Sequence, residues 1–100
     1  MHYFLAISCS SDKGEVNRFL EKVNEVYPLG DSFSVTDNVR IIKDEKISVP
    51  LMIHERLFQN MGDSELSTYG RFLICRLTSD YFGYHGSALW DWLDEKPTSE

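Results

Sequence analysis

The sequence predicts a small α+β domain. Three observations carry that expectation. Short apolar runs of strand length alternate with two stretches of helical periodicity. The hydrophobic period changes from one pattern to the other several times along the chain. The chain has 100 residues, 42% of them hydrophobic, enough for one core and little more.

The elements follow in order. His2 to Cys9, HYFLAISC, is apolar at successive positions, as in a strand covered on both faces. Asp12 and Glu15 have the spacing of a capping box and predict a helix start. Val16, Phe19, Leu20, Val23 and Tyr27 then recur at helical spacing, with Arg18, Glu21, Lys22 and Glu25 outside. Pro28 to Gly30 is expected to end that helix. Phe33 and Val35 next alternate with Ser32, Ser34 and Thr36, and Val39 and Ile41 flank Arg40. Asp37-Asn38 between these runs reads as a hairpin turn without the usual glycine; one bent strand is the alternative. SVPLMIHERLFQNMG reads as a second helix with Ser48 as cap, Pro50 in its first turn and Gly62 as its stop. Val49, Ile53, Leu57 and Met61 are its expected buried stripe, with Phe58 alongside. DSELSTYG reads as a polar loop, and so does DEK at 44–46. Arg71 to Thr78, RFLICRLT, predicts the last strand.

The order β-α-β-β-α-β makes a ferredoxin-like sandwich the expected architecture. An extra short C-terminal helix follows. Residues 1–96 form one expected domain and 97–100 a disordered tail. One sheet face would carry the two helices, and something must cover the other.

SDYFGYHGSALWDWLDEK, 79–96, is the candidate cover and contains both tryptophans. On a helix from Ser87 to Glu95, Leu89 and Leu93 fall between Trp90 and Trp92 on one apolar arc of roughly 160°. Ser87, Asp91, Asp94 and Glu95 take the other side. Burying one Trp removes about 200 Å² from water, worth roughly 5 kcal/mol. A domain with a total stability of about 5–15 kcal/mol gains by hiding it. The core reading is therefore preferred to a ligand-binding aromatic box; a dimer interface lies between the two.

The net charge is −6, which opposes nucleic-acid binding; it reads first as ordinary solubility, and functionally as suited to a protein partner with a basic surface. The N-terminal apolar run is too short to span a membrane and lacks a basic flank. Neither signal peptide nor membrane contact is expected, and the expected location is cytoplasmic. Cys9 and Cys75 are widely separated, lack a CxxC pattern and read as reduced, strand-embedded thiols. His2, His54 and His85 are scattered, and no catalytic motif is present. No cofactor is implied.

RFLICRLTSDYFGYHGSALWDWLDE, 71–95, resembles the C-terminal part of small ferredoxin-fold proteins. Those proteins are related to the CRISPR-associated adaptation endoribonucleases and the virulence-associated D proteins. The resemblance implies a homodimer. In nucleolytic members it implies an Asp at the end of the first strand that holds a divalent metal. Here that strand ends Ile7-Ser8-Cys9-Ser10, with no carboxylate. Hydroxyls replace anionic oxygens poorly around a hard cation. A metal-dependent endoribonuclease is thus the alternative, with Asp12 or Asp80 as its displaced carboxylate. YFGYHGSALWDWL is also similar to a stretch of the barstar ribonuclease inhibitors, whose helix presents carboxylates to the enzyme. Asp91 matches one such position, Ser87 stands at another, and the likeness reads as convergence. The expected function is a non-catalytic interaction protein of antitoxin, immunity or phage-inhibitor type. It would bind a protein partner through Ser87, Asp91, Asp94 and Glu95.

Overall fold

A computed structural model describes residues 1–28, 30–78, 89, 92 and 93. In chain order these contain β1 (His2–Ser8), α1 (Lys13–Val26), β2 (Ser32–Thr36), β3 (Val39–Asp44), α2 (Pro50–Leu57), α3 (Asp63–Leu66) and β4 (Phe72–Leu77). A 3-10 turn, Ser67–Tyr69, joins α3 to β4. The domain is a mixed α+β unit built on a four-stranded sheet of order β2-β3-β1-β4. Each neighbouring pair is antiparallel. No helix among the described residues is long and apolar enough to cross a membrane.

The two-sided reading of β1 holds. Phe4 and Ala6 pack with Ile42 under the helices, against Phe19, Leu20 and Val23 of α1 and Ile53 and Leu57 of α2. Alternate residues lie on the opposite face, because side chains switch sides at every step of a strand. There Tyr3 and Ile41 are buried with Leu89 and Leu93. Phe72 joins the helix-side core by stacking on Phe19, ring centres 4.9 Å apart, and lies 5.0 Å from the Phe58 ring.

The α1 start follows its sequence signal with one change. Asp12 caps the helix, its Oδ1 accepting the Glu15 amide at 3.1 Å. The return bond of a capping box goes elsewhere. The Asp12 amide donates to Ser10 Oγ at 3.0 Å, and the Ser10 hydroxyl donates to Glu15 Oε1 at 2.5 Å. Ser10 thus relays the contact that Glu15 would make directly.

The hairpin of β2 and β3 turns at Asp37-Asn38. Neither residue has positive φ, so this is not the primed turn usual for two-residue loops. The register shifts between Ser34 and Thr36 instead, and the Asn38 amide side chain ties the turn to the Ser8 carbonyl at 3.0 Å.

Several expectations fail locally, and α2 ends at Leu57, well before the expected stop at Gly62. Val49, not Ser48, is the N-cap of α2, and it makes no side-chain capping bond. Val49 is also 45% exposed rather than buried. Its extended backbone, φ −126° and ψ 142°, takes it off the helical wheel on which the stripe was drawn. DSELSTYG is not a loop. It forms α3 and the 3-10 turn, with Leu66 and Tyr69 packed on the helix-side core and Tyr69 5.0 Å from Phe58. Cys9 lies beyond the end of β1 and is exposed, while Cys75 is half-buried in β4; both thiols are free.

Candidate functional site

Three places bear on function: the end of β1, a polar cluster at the end of β3, and the face opposite the helices.

The end of β1 is where the resemblance places a metal. Cys9, Ser10, Glu15, Ser67 and Arg71 help line an open groove there of about 570 Å³. Both nearby carboxylates are engaged. Asp12 accepts from the first turn of α1, and Glu15 accepts from Ser10. Among the described residues, no group of three or more His, Cys, Asp or Glu side chains is arranged to hold a metal ion. Asp12 therefore stands where its capping role puts it, and Asp80 lies outside the described residues.

The cluster at the end of β3 was missed in the sequence, where Asp44 reads as part of a loop. Asp44 closes β3 and is buried. Its Oδ1 accepts the amides of Lys46 and Ile47, both at 2.8 Å. Its Oδ2 accepts the Tyr27 hydroxyl at 2.9 Å and Arg56 at 2.7 Å. The Arg56 guanidinium also lies 4.8 Å from the centre of the Tyr27 ring. Burial pushes the Asp44 carboxyl up, but the Ile47 and Lys46 amides, the Tyr27 hydroxyl and Arg56 outweigh it and hold the pKa below its usual value. Burial first, and the bond to and charge of Asp44 second, push the Tyr27 phenol well above its ordinary value. A carboxylate with four donors and a phenol held protonated make a strut between α1, β3 and α2. They leave no basic lone pair for proton transfer. A signal for this existed: Asp44 is two residues from Ile42 and shares its inward face.

The third place answers what covers the open sheet face. Leu89, Trp92 and Leu93 have helical backbone, as the wheel predicts. Leu89 and Leu93 are 6% and 3% exposed. The half-buried Trp92 meets Tyr3 edge-on at 5.6 Å and Phe33 at the same distance, and Lys43 Nζ lies 5.3 Å from its ring centre. Trp92 thus belongs to the core of its own chain. Trp90, Ser87, Asp91, Asp94, Glu95, His85 and residues 97–100 lie outside the described residues. His54 is stacked 5.7 Å from Phe72, and His2 Nδ1 is 3.4 Å from Arg76, so these two serve packing and a surface contact.

No protein-family model matches the chain, and no curated protein matches it.

Proposed function

We propose that this chain is a ferredoxin-like βαββαβ domain that acts by binding another protein, as an antitoxin, immunity protein or inhibitor does. The supporting order is simple. β1 and β2 each run antiparallel to β3, so they are parallel to each other with one strand between them. β3 and β4 are related in the same way through β1. Each half is then a β-α-β unit whose strands interleave with those of the other half.

One observation carries the functional reading: Leu89, Trp92 and Leu93 are anchored on the sheet of their own chain. In the sequence, Ser87, Asp91, Asp94 and Glu95 fall on the side of the helical wheel opposite that apolar stripe. An acidic ridge on a rigid support suits a basic partner surface. The engaged state of Asp12 and Glu15 supports binding over hydrolysis at the β1 end. The reading includes a homodimer and a cytoplasmic setting.

The test is a tagged pull-down from the native host, with Asp91→Lys/Asp94→Lys as the comparison. A stoichiometric basic protein retained by the parent chain and lost by the variant is the expected result. Equal retention by both chains would remove the acidic ridge as the site. Magnesium- or manganese-dependent RNA cleavage, abolished by Asp12→Ala or Asp80→Ala, would replace the binding reading with the nuclease one.

A further inference from the structure

The strut of Tyr27, Asp44 and Arg56 forms part of the wall of a cavity of about 300 Å³, on which Asp31, Glu45 and Lys46 also lie. Tyr27 and Asp44 are buried, and the other four are exposed. The cavity therefore has a fixed floor and a charged mouth. A concave place where a few polar groups converge suits a small molecule.

Arg56 is more restrained than the strut requires. Asp44 already accepts the Tyr27 hydroxyl and two amides, and a half-exposed ion pair adds little to stability. Yet the guanidinium is held on two sides. Its Nη1 donates to Asp44 at 2.7 Å, and the group lies over the Tyr27 ring at 4.8 Å. A guanidinium has more N–H donors than one carboxylate oxygen can use. Among the described residues, Asp44 is the only acceptor that Arg56 serves, so the rest of the fork is left for an acceptor from outside. A planar fork held in place matches a carboxylate, which takes two parallel N–H bonds.

The opposite sign lines the same cavity. The Asp31 amide donates to the Pro28 carbonyl at 2.8 Å, and its carbonyl accepts the Lys43 amide at 2.9 Å, so its backbone is pinned. Among the described residues, the side chains of Asp31, Glu45 and Lys46 form no hydrogen bond or ion pair. Lys43 is also on the wall, but its ammonium lies over Trp92, on the other face of the sheet. Arg56 and Asp44 offset each other, which leaves two carboxylates and one ammonium without a counter-charge. A dianion would meet both carboxylates in a chain of net charge −6. A simple amine would leave the Arg56 fork empty. A molecule with one carboxylate and one ammonium answers both signs. We propose that this cavity binds a free α-amino acid, its carboxylate on Arg56 with Lys46 beside it, and its ammonium on Asp31 and Glu45. The site is separate from the acidic ridge and does not depend on it.

Amide chemical-shift titration of the ¹⁵N-labelled full chain tests the proposal, with the standard L-amino acids as probes, one at a time. At least one is expected to shift the Asp31, Lys46 and Ile47 amides saturably, with a Kd of about 0.01–1 mM. The same molecule without its ammonium, or without its carboxylate, is expected to bind about tenfold more weakly. Arg56→Gln is expected to weaken binding by about tenfold or more and to keep the circular dichroism spectrum, because this side chain is half-exposed. Asp31→Asn with Glu45→Gln, both at exposed positions, is expected to weaken the amino acid and not its deaminated acid. No saturable shift of these amides with any probe overturns the proposal. Equal binding of the deaminated acid, or of the amine, overturns the amino acid as the ligand. Binding unaltered by Arg56→Gln, in a variant with the parent spectrum, overturns the site.

Discussion

Asp44 offers the sharpest test of what holds the helices to the sheet. Asp44→Ala deletes an acceptor that serves four donors while the fold around it stays crowded. Arg56, whose side chain is 47% exposed, can turn to water, so its loss counts as a surface ion pair of about 0.2–1 kcal/mol. The Tyr27 hydroxyl is different. Tyr27 is 2% exposed, and an orphaned buried donor costs about 1–3 kcal/mol. The Lys46 and Ile47 amides lose a charged acceptor in the turn that leads into α2. Together the expected loss is about 3–4 kcal/mol, since coupled bonds do not add in full. For a chain of this length that lowers Tm by roughly 15 °C. The assay is urea unfolding, with Tyr27→Phe and the double variant to complete a cycle. Tyr27→Phe should cost less than Asp44→Ala and add little on top of it. The pH dependence has a defined sign. The folded pKa of Asp44 lies below its unfolded value of about 3.9, so the contribution is complete above that pH and lost as pH falls toward the folded value. The Tyr27 pKa is raised, so its contribution is complete below about pH 10 and lost as pH rises beyond it. An Asp44→Ala protein with unchanged m-value and midpoint, or an acid limb that Asp44→Asn leaves unaltered, would refute the strut.

Other substitutions probe the remaining contacts. Trp92→Ala should cost about 2–3 kcal/mol in urea unfolding, less than a fully buried Trp, because the ring is half-exposed over Tyr3 and Phe33; an unchanged midpoint would detach this residue from the core. Gly70 has φ 71° and ψ −160°, and a Cβ there would lie 2.6 Å from Glu15 Oε1. Gly70→Ala is expected to lose about 1–3 kcal/mol, and Glu15→Ala should relieve the contact but not the backbone strain, as thermal melts of the single and double variants would reveal. Asp12→Ala should lower stability by about 1 kcal/mol through loss of the α1 cap, with the same change in the presence and absence of magnesium.

Much of the fold was legible because one rule served several elements at once. The double-sided apolar run of β1, the stripe of α1 and the apolar run of β4 each state which surfaces must be covered. A sheet with two apolar faces then requires a second layer. The misses have separate physical causes. Val49 was placed by helical spacing, but the chain before Pro50 is extended, so the wheel does not reach it. Leu66 and Tyr69 are too few to show a period, and tertiary packing on Phe58 decides their structure. Asp44 is polar, and polar residues between strand and helix read as loop until strand parity is carried to the last residue. Of the candidate site, the anchoring residues were legible as a stripe. The relay through Ser10 was not, because it depends on where the turn after β1 places a hydroxyl.

Both tryptophans stand close to the C-terminus, and the sheet supplies a reason for one of them. Among the described residues, α1 and α2 are the longest helices, and both pack on the first face. The second face carries Tyr3, Ile41, Phe33 and Val35, and Leu89, Trp92 and Leu93 pack against it. A short helix must bury much area per residue, which favours Leu and Trp over smaller side chains. Trp92 spans from Tyr3 on β1 to Phe33 on β2, across the width of β3 between them. The Lys43 ammonium of β3 lies over the Trp92 ring. The same economy bears on function. Under the proposed reading, the packing of Leu89, Trp92 and Leu93 on the sheet is what would reduce the ordering cost of binding a partner there.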